Sequence, residues 1–155
     1  MCANIINIQK ESRTKYIAEE LSKLCSKGDV LALSGEMGSG KTTFIRYFIK
    51  NISNVNEVPS PSYNIMLPYD SKKTKIYHMD VWRIKSYEEV LTLGITDMFE
   101  NSIFLVEWAE KIIDILPCNC LKLYITNDKN NRILKLEGNK EWEIRLKKLI
   151  DNEKI

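Results

Sequence analysis

Gly35-Glu36-Met37-Gly38-Ser39-Gly40-Lys41-Thr42 constrains this chain more than any other stretch. It fits G-x-x-x-x-G-K-[ST], a phosphate-binding loop, which works only between a buried strand and the first turn of a helix. Both neighbours are written in the sequence. Residues 29–34 form an apolar run bounded by Gly28 and Gly35, which predicts a strand. Residues 43–49 carry Phe44, Ile45, Phe48 and Ile49 at helical spacing. A strand leading through a glycine loop into a helix commits the chain to the α/β class.

The same residues dictate a chemistry. Glycines let the backbone turn tightly and aim successive N–H groups at one anion, and the helix N-terminus adds unpaired donors. Glu36, Met37, Gly38, Ser39, Gly40, Lys41, Thr42 and Thr43 are therefore the candidate nucleotide-binding residues. Lys41 would reach the β- and γ-phosphates, and the Thr42 hydroxyl would ligate Mg²⁺. Such a loop needs a second acid at the end of an apolar strand. Two residues qualify: Asp80 closes 76–80 and Glu107 closes 103–107. The second run is the more continuously apolar and better suits a central strand buried on both faces, so Glu107 is the expected metal ligand. Asp80, with His78 beside it, would then position water or sense the γ-phosphate. A histidine held by a backbone partner is the plainer reading of His78.

Composition narrows the class without naming a function. With 155 residues, 44% hydrophobic and 28% charged, the chain can bury a proper core and is expected to form a single domain over 1–155. A net charge of +2 is too mild to argue for nucleic-acid binding unaided. No run reaches the length of a membrane span and no signal-peptide pattern opens the chain, so a soluble cytoplasmic protein is expected. Cys2, Cys25, Cys118 and Cys120 form no paired C-x-x-C, and His78 is the sole histidine, which argues against zinc and for reduced thiols.

Elsewhere, a short strand at 4–8 precedes a helix at 12–26 capped by Ser12. Residues 58–63 hold Pro59 and Pro61, which forbid regular structure; the segment reads either as a stiff connector or as a nucleotide-sensing loop. Strands at 63–69 and 75–80 flank a polar turn, whose Lys72 and Lys73, with Lys75, read as solvated or as contacts to phosphate or an acidic partner. Ser86 to Glu89 is a capping box, 109–116 is expected to be helical, and 121–126 with 132–137 form a hairpin. Asn139 caps a last helix with Trp142, Leu146 and Leu149 inward.

The phosphate loop, Ser60-Pro61-Ser62-Tyr63, His78-Met79-Asp80-Val81-Trp82-Arg83 and Val106-Glu107-Trp108, in this order, resemble the TsaE (formerly YjeE) family from about residue 14 to about residue 132. That family is the bacterial ATPase of the tRNA threonylcarbamoyladenosine pathway. The resemblance implies a P-loop NTPase-like three-layer α/β domain, with a mixed, mostly parallel central sheet and a C-terminal antiparallel hairpin. It implies ATP and Mg²⁺ as cofactors, with Lys41 and Thr42 on the phosphates and Thr42 and Glu107 on the metal. Lys41, Asp80 and Glu107 would be the catalytic set. Thr14 and Arg132 match family positions and would touch the nucleotide. The partners implied are the TsaD and TsaB proteins, which transfer threonylcarbamoyl to tRNA; tRNA would be met through that complex, and no membrane is involved. Departures are mild: Ser62, Trp82 and Ala109 stand where threonine, tyrosine and proline are usual. A small-molecule kinase and a nucleotide-dependent binding module with little turnover are the alternatives.

Overall fold

The computed structural model describes residues 2–153 and arranges them around one seven-stranded sheet. In chain order the elements are β1 (Cys2–Asn7), α1 (Glu11–Leu24), β2 (Val30–Ser34), α2 (Lys41–Ile52), β3 (Met66–Tyr69), β4 (Lys75–Asp80), α3 (Tyr87–Leu91), β5 (Ser102–Glu107), β6 (Leu121–Asp128), β7 (Asn131–Gly138) and α4 (Lys140–Glu153). The strand order is β1-β7-β6-β2-β5-β4-β3. Parallel pairing holds among the four central strands, β6, β2, β5 and β4. The outer pairs β1–β7, β6–β7 and β3–β4 are antiparallel. The expected parallel character thus belongs to the centre of the sheet, where both faces are covered.

Alternation along the strands sorts the core into two layers. Leu31, Leu33, Ile76, Ile103, Leu105, Leu121 and Leu123 pack under α1, α2 and α4. Val30, Ala32, Met79, Phe104 and Val106 face the opposite way, against α3 and short 3₁₀ turns. The three layers expected from the resemblance are present, with the third built of fragments. Ala109–Lys111 and Ile113–Ile115 are separate 3₁₀ turns, where a single helix over 109–116 was expected. Ile112, between them at φ −128° and ψ 18°, interrupts the helical path.

Caps also differ from the sequence reading. Ser12 lies inside α1, because the amides of Arg13 and Thr14 both donate to the carbonyl of Lys10 and start the helix earlier. At α3, Glu89 accepts from the amide of Lys85 and leaves that of Ser86 without the expected reciprocal bond. Asn139 does cap α4, its side-chain oxygen accepting from the Trp142 amide at 3.1 Å. Lys73 is an exposed turn residue whose ammonium is nevertheless engaged. Its ammonium donates to the carbonyls of Ser22, Lys23 and Cys25, closing the C-terminal end of α1, where a cation also meets the helix dipole. Cys25 and Cys120 are buried and Cys118 is exposed, all with free thiols, and burial pushes the Cys25 thiol well above its ordinary range.

A phosphate-loop cavity with an acidic wall

The loop between β2 and α2 closes tightly on itself. Gly35, at φ +153°, lies so near the carbonyl oxygen of Ile125 that an added Cβ would fall 2.4 Å from it. Gly38 and Gly40 hold φ of +75° and +113°, conformations that side chains disfavour. The Lys41 ammonium folds back over the loop, donating to the carbonyls of Gly35 at 2.7 Å and Glu36 at 2.9 Å, with the Ser39 hydroxyl at 3.5 Å. Lys41 is only 4% exposed. Burial draws its ammonium below the usual lysine range, although Glu107, Glu110 and Asp80 act in the other direction.

Strand alternation brings the acids to the loop. Ile76, Ile103 and Leu105 face α1 and α2, so His78, Asp80 and Glu107, on the same parity, face that way too. Asp80 and Glu107 are paired positions of adjacent parallel strands, at the C-terminal ends next to the loop. Thr42, in the first turn of α2, donates its hydroxyl to Glu107 Oε1 at 2.6 Å. His78 Nε2 meets Glu107 Oε2 at 2.7 Å, so both carboxylate oxygens are held. His78 is 0% exposed, and its partner is a side chain on the neighbouring strand, not the backbone. Its contact with Glu107 is invisible in a pattern of local spacing, since the two lie 29 positions apart.

Asp80 accepts from the Trp82 amide at 2.9 Å. Burial raises its carboxyl above the usual aspartate range; that amide bond works in the opposite direction. A carboxyl that binds its proton more tightly folded than unfolded costs stability while charged. That cost is present above the folded value and fades as pH falls through it. Asp80→Asn, which keeps an oxygen for the Trp82 amide, is therefore expected to raise Tm at pH 7, each kcal/mol appearing as about 2–4 °C. A calorimetric scan checks this; an unchanged or lower Tm would contradict it.

Together these residues enclose a cavity of about 380 Å³ lined by Met37, Gly38, Gly40, Lys41, Thr42, Thr43, Ser62, Asp80, Trp82, Arg83, Glu107 and Trp108. Glu36 and Ser39 belong to the loop and meet Lys41 without lining the cavity. Arg132 lies against the loop, one guanidinium nitrogen 3.5 Å from where a Gly40 Cβ would stand, without lining this cavity. Thr14, a candidate by resemblance alone, is not brought to the cavity. It sits within α1, 2% exposed with its hydroxyl unpartnered, and takes no part in lining the cavity, because the helix turns it into the core.

Trp108 follows Glu107 in a left-handed conformation, φ 59°, unusual for a bulky residue. That turn lays its ring 4.1 Å from the Lys41 ammonium and 4.3 Å from the ring of Trp82. Among the described residues no three His, Cys, Asp or Glu side chains gather as a metal cage. One hydroxyl and one carboxylate oxygen 2.6 Å apart, beside a phosphate loop, nevertheless suit Mg²⁺, which takes its remaining ligands from phosphate and water.

A glycine loop between a parallel strand and a helix, faced by an acid ending the adjacent strand, defines a P-loop NTPase-like α/β domain. Within that class the chain belongs to the TsaE family: the family model described as "Threonylcarbamoyl adenosine biosynthesis protein TsaE" matches residues 8–134. Among relatives named "tRNA threonylcarbamoyladenosine biosynthesis protein TsaE", that of Rickettsia prowazekii is 34% identical over 130 residues, covering 83% of this chain and 89% of its own length. That of Bacillus subtilis is 37% identical over 113 residues, 72% of this chain and 70% of the relative. The crystal structure of Bacillus subtilis YdiB superposes with a TM-score of 0.76 at 26% identity, covering 96% of this chain and 94% of that one. No described helix is long and apolar enough to cross a membrane.

Proposed function

We propose that this chain binds ATP with Mg²⁺ in the loop cavity and hydrolyses it, and that this turnover supports the TsaD–TsaB complex in threonylcarbamoyl transfer to tRNA in the cytoplasm. Membership of a family of threonylcarbamoyladenosine biosynthesis supports the pathway. One observation carries the chemistry: the Thr42 hydroxyl against Glu107 Oε1 at 2.6 Å, where a nucleotide's metal would be gripped.

Within this reading each side chain has a task. Backbone amides of residues 36–43 hold the phosphates. Lys41 exchanges its bonds to the Gly35 and Glu36 carbonyls for phosphate oxygens, at little net cost in hydrogen bonds. Glu107, fixed by His78 on one oxygen, presents the other beside Thr42. Mg²⁺, when bound, neutralises charge on the β- and γ-phosphates. Asp80 lines the same wall and orients the attacking water. The water oxygen bonds to the γ-phosphorus while the bond to the bridging oxygen breaks, its electron pair staying on ADP. Phosphate leaves, and the water's proton passes to solvent.

The isolated chain should turn over slowly, because transition-state charge is met by few cations and a partner can complete the site. Steady-state ATP turnover, measured alone and then with both partners and tRNA, tests this. Fast hydrolysis alone, unaltered by the partners, would sink the coupled-ATPase reading. Trp108 offers a direct report of binding. In a Trp82→Phe background, Mg-ATP should change tryptophan emission, because Lys41 must leave the Trp108 face, while Trp142, on the buried face of α4, contributes a constant signal. A flat titration would count against nucleotide entry at this site.

A further inference from the structure

Arg83 is unlike the other four arginines. Arg13 pairs with Glu153, Arg46 donates to the Val58 carbonyl, Arg132 to Asn127, and Arg145 to both oxygens of Asp29. Among the described residues Arg83 makes no hydrogen bond and no ion pair. Its guanidinium instead lies over the ring of Tyr63, 4.5 Å from the centroid.

Its place makes the vacancy informative. Arg83 lines the cavity together with Lys41, Thr42, Asp80 and Glu107. The neighbouring acids have other engagements, Glu107 with Thr42 and His78, and Asp80 with the Trp82 amide. The turn that carries Arg83 is fixed at both ends: the Val81 amide donates to the Glu107 carbonyl and the Ile84 amide to the Val81 carbonyl. A guanidinium has five donors in a fork that fits phosphoryl oxygens. Here that fork is unspent, on a fixed turn, at a cavity built for phosphate. Its resting place is an aromatic face that is 82% exposed and contributes only a weak cation–π contact.

We infer that Arg83 binds the terminal phosphate of the nucleotide, leaving Tyr63 to do so, and thereby separates triphosphate from diphosphate. The inference rests on the ATP reading and assigns to this chain its own charge-neutralising cation, additional to Lys41. As hydrolysis proceeds, the fork stays on the phosphoryl oxygens while the bond to the bridging oxygen breaks. After phosphate leaves, the guanidinium has no partner at the diphosphate and returns to Tyr63.

The test is calorimetric titration of ADP and of a non-hydrolysable ATP analogue, both with Mg²⁺, into the wild-type chain and Arg83→Ala. Removing charge-assisted bonds should lower analogue affinity about 10- to 100-fold and leave ADP affinity within about twofold. Arg83→Lys should recover part of the loss, as a point charge without the fork. Arg83 is exposed, so the melting temperature should not move, which separates phosphate binding from a structural role. An analogue-to-ADP affinity ratio that falls about fivefold or more upholds the inference, and a smaller change overturns it. If the wild-type chain binds neither nucleotide, the ATP reading fails and this inference with it, an outcome distinct from normal binding that ignores Arg83.

Discussion

Lys41→Ala is expected to lower ATP turnover by about 10²- to 10³-fold or more, the range found when one preorganised donor to developing charge is removed. The protein should stay folded. The Lys41 ammonium is spent on the Gly35 and Glu36 carbonyls and on the Trp108 face, not on the contacts between sheet and helices. Alanine leaves those carbonyls to water in an open cavity. Circular dichroism and a thermal melt on the same sample separate the two outcomes, and undiminished turnover in a folded Lys41→Ala protein would remove the site assignment.

Glu107→Gln should be nearly as damaging by a different route. The amide has the carboxylate's shape but not its charge, so under the proposed function Mg²⁺ would lose a ligand and turnover should lose its dependence on Mg²⁺, with a rate at least about 10- to 100-fold lower. The amide oxygen can still accept from Thr42. The amide nitrogen then faces His78 Nε2 and requires the tautomer in which that nitrogen accepts. Turnover measured across a Mg²⁺ series decides the case. If Asp80→Asn abolishes the Mg²⁺ response and Glu107→Gln does not, the two acids have been assigned the wrong way round.

How much of this is legible in the chain alone depends on how local each feature is. Residues 29–42 read correctly because strand, loop and helix start follow one another, and every signal lies within a few residues of its partner. Residues 103–107 are apolar at four successive positions before Glu107, and the structure buries all of β5. Thr14 reads as a nucleotide contact only by resemblance, and nothing local reveals that α1 begins at Glu11 and turns that hydroxyl inward. The hold of His78 on Glu107 depends on which strands are neighbours, and the insertion of β7 and β6 between β1 and β2 is equally silent in local patterns. Arg83 falls between these cases. Its nearness to the site follows from Asp80, but its lack of a partner is a fact of the folded molecule.

The pairing of β1 carries a consequence for the nascent chain. Cys2–Asn7 has one neighbour in the sheet, β7, with Cys2 opposite Gly138 and Asn7 opposite Ile133. On a ribosome adding about 5–20 residues per second, β1 would wait roughly 6 to 25 s for the strand that receives it. Until then its backbone donors and acceptors stay open to any other edge that passes. The phosphate loop and its helix, complete by Ile52, can take shape long before. An emerging polypeptide therefore has a formed phosphate loop while β1 and β7 have yet to meet.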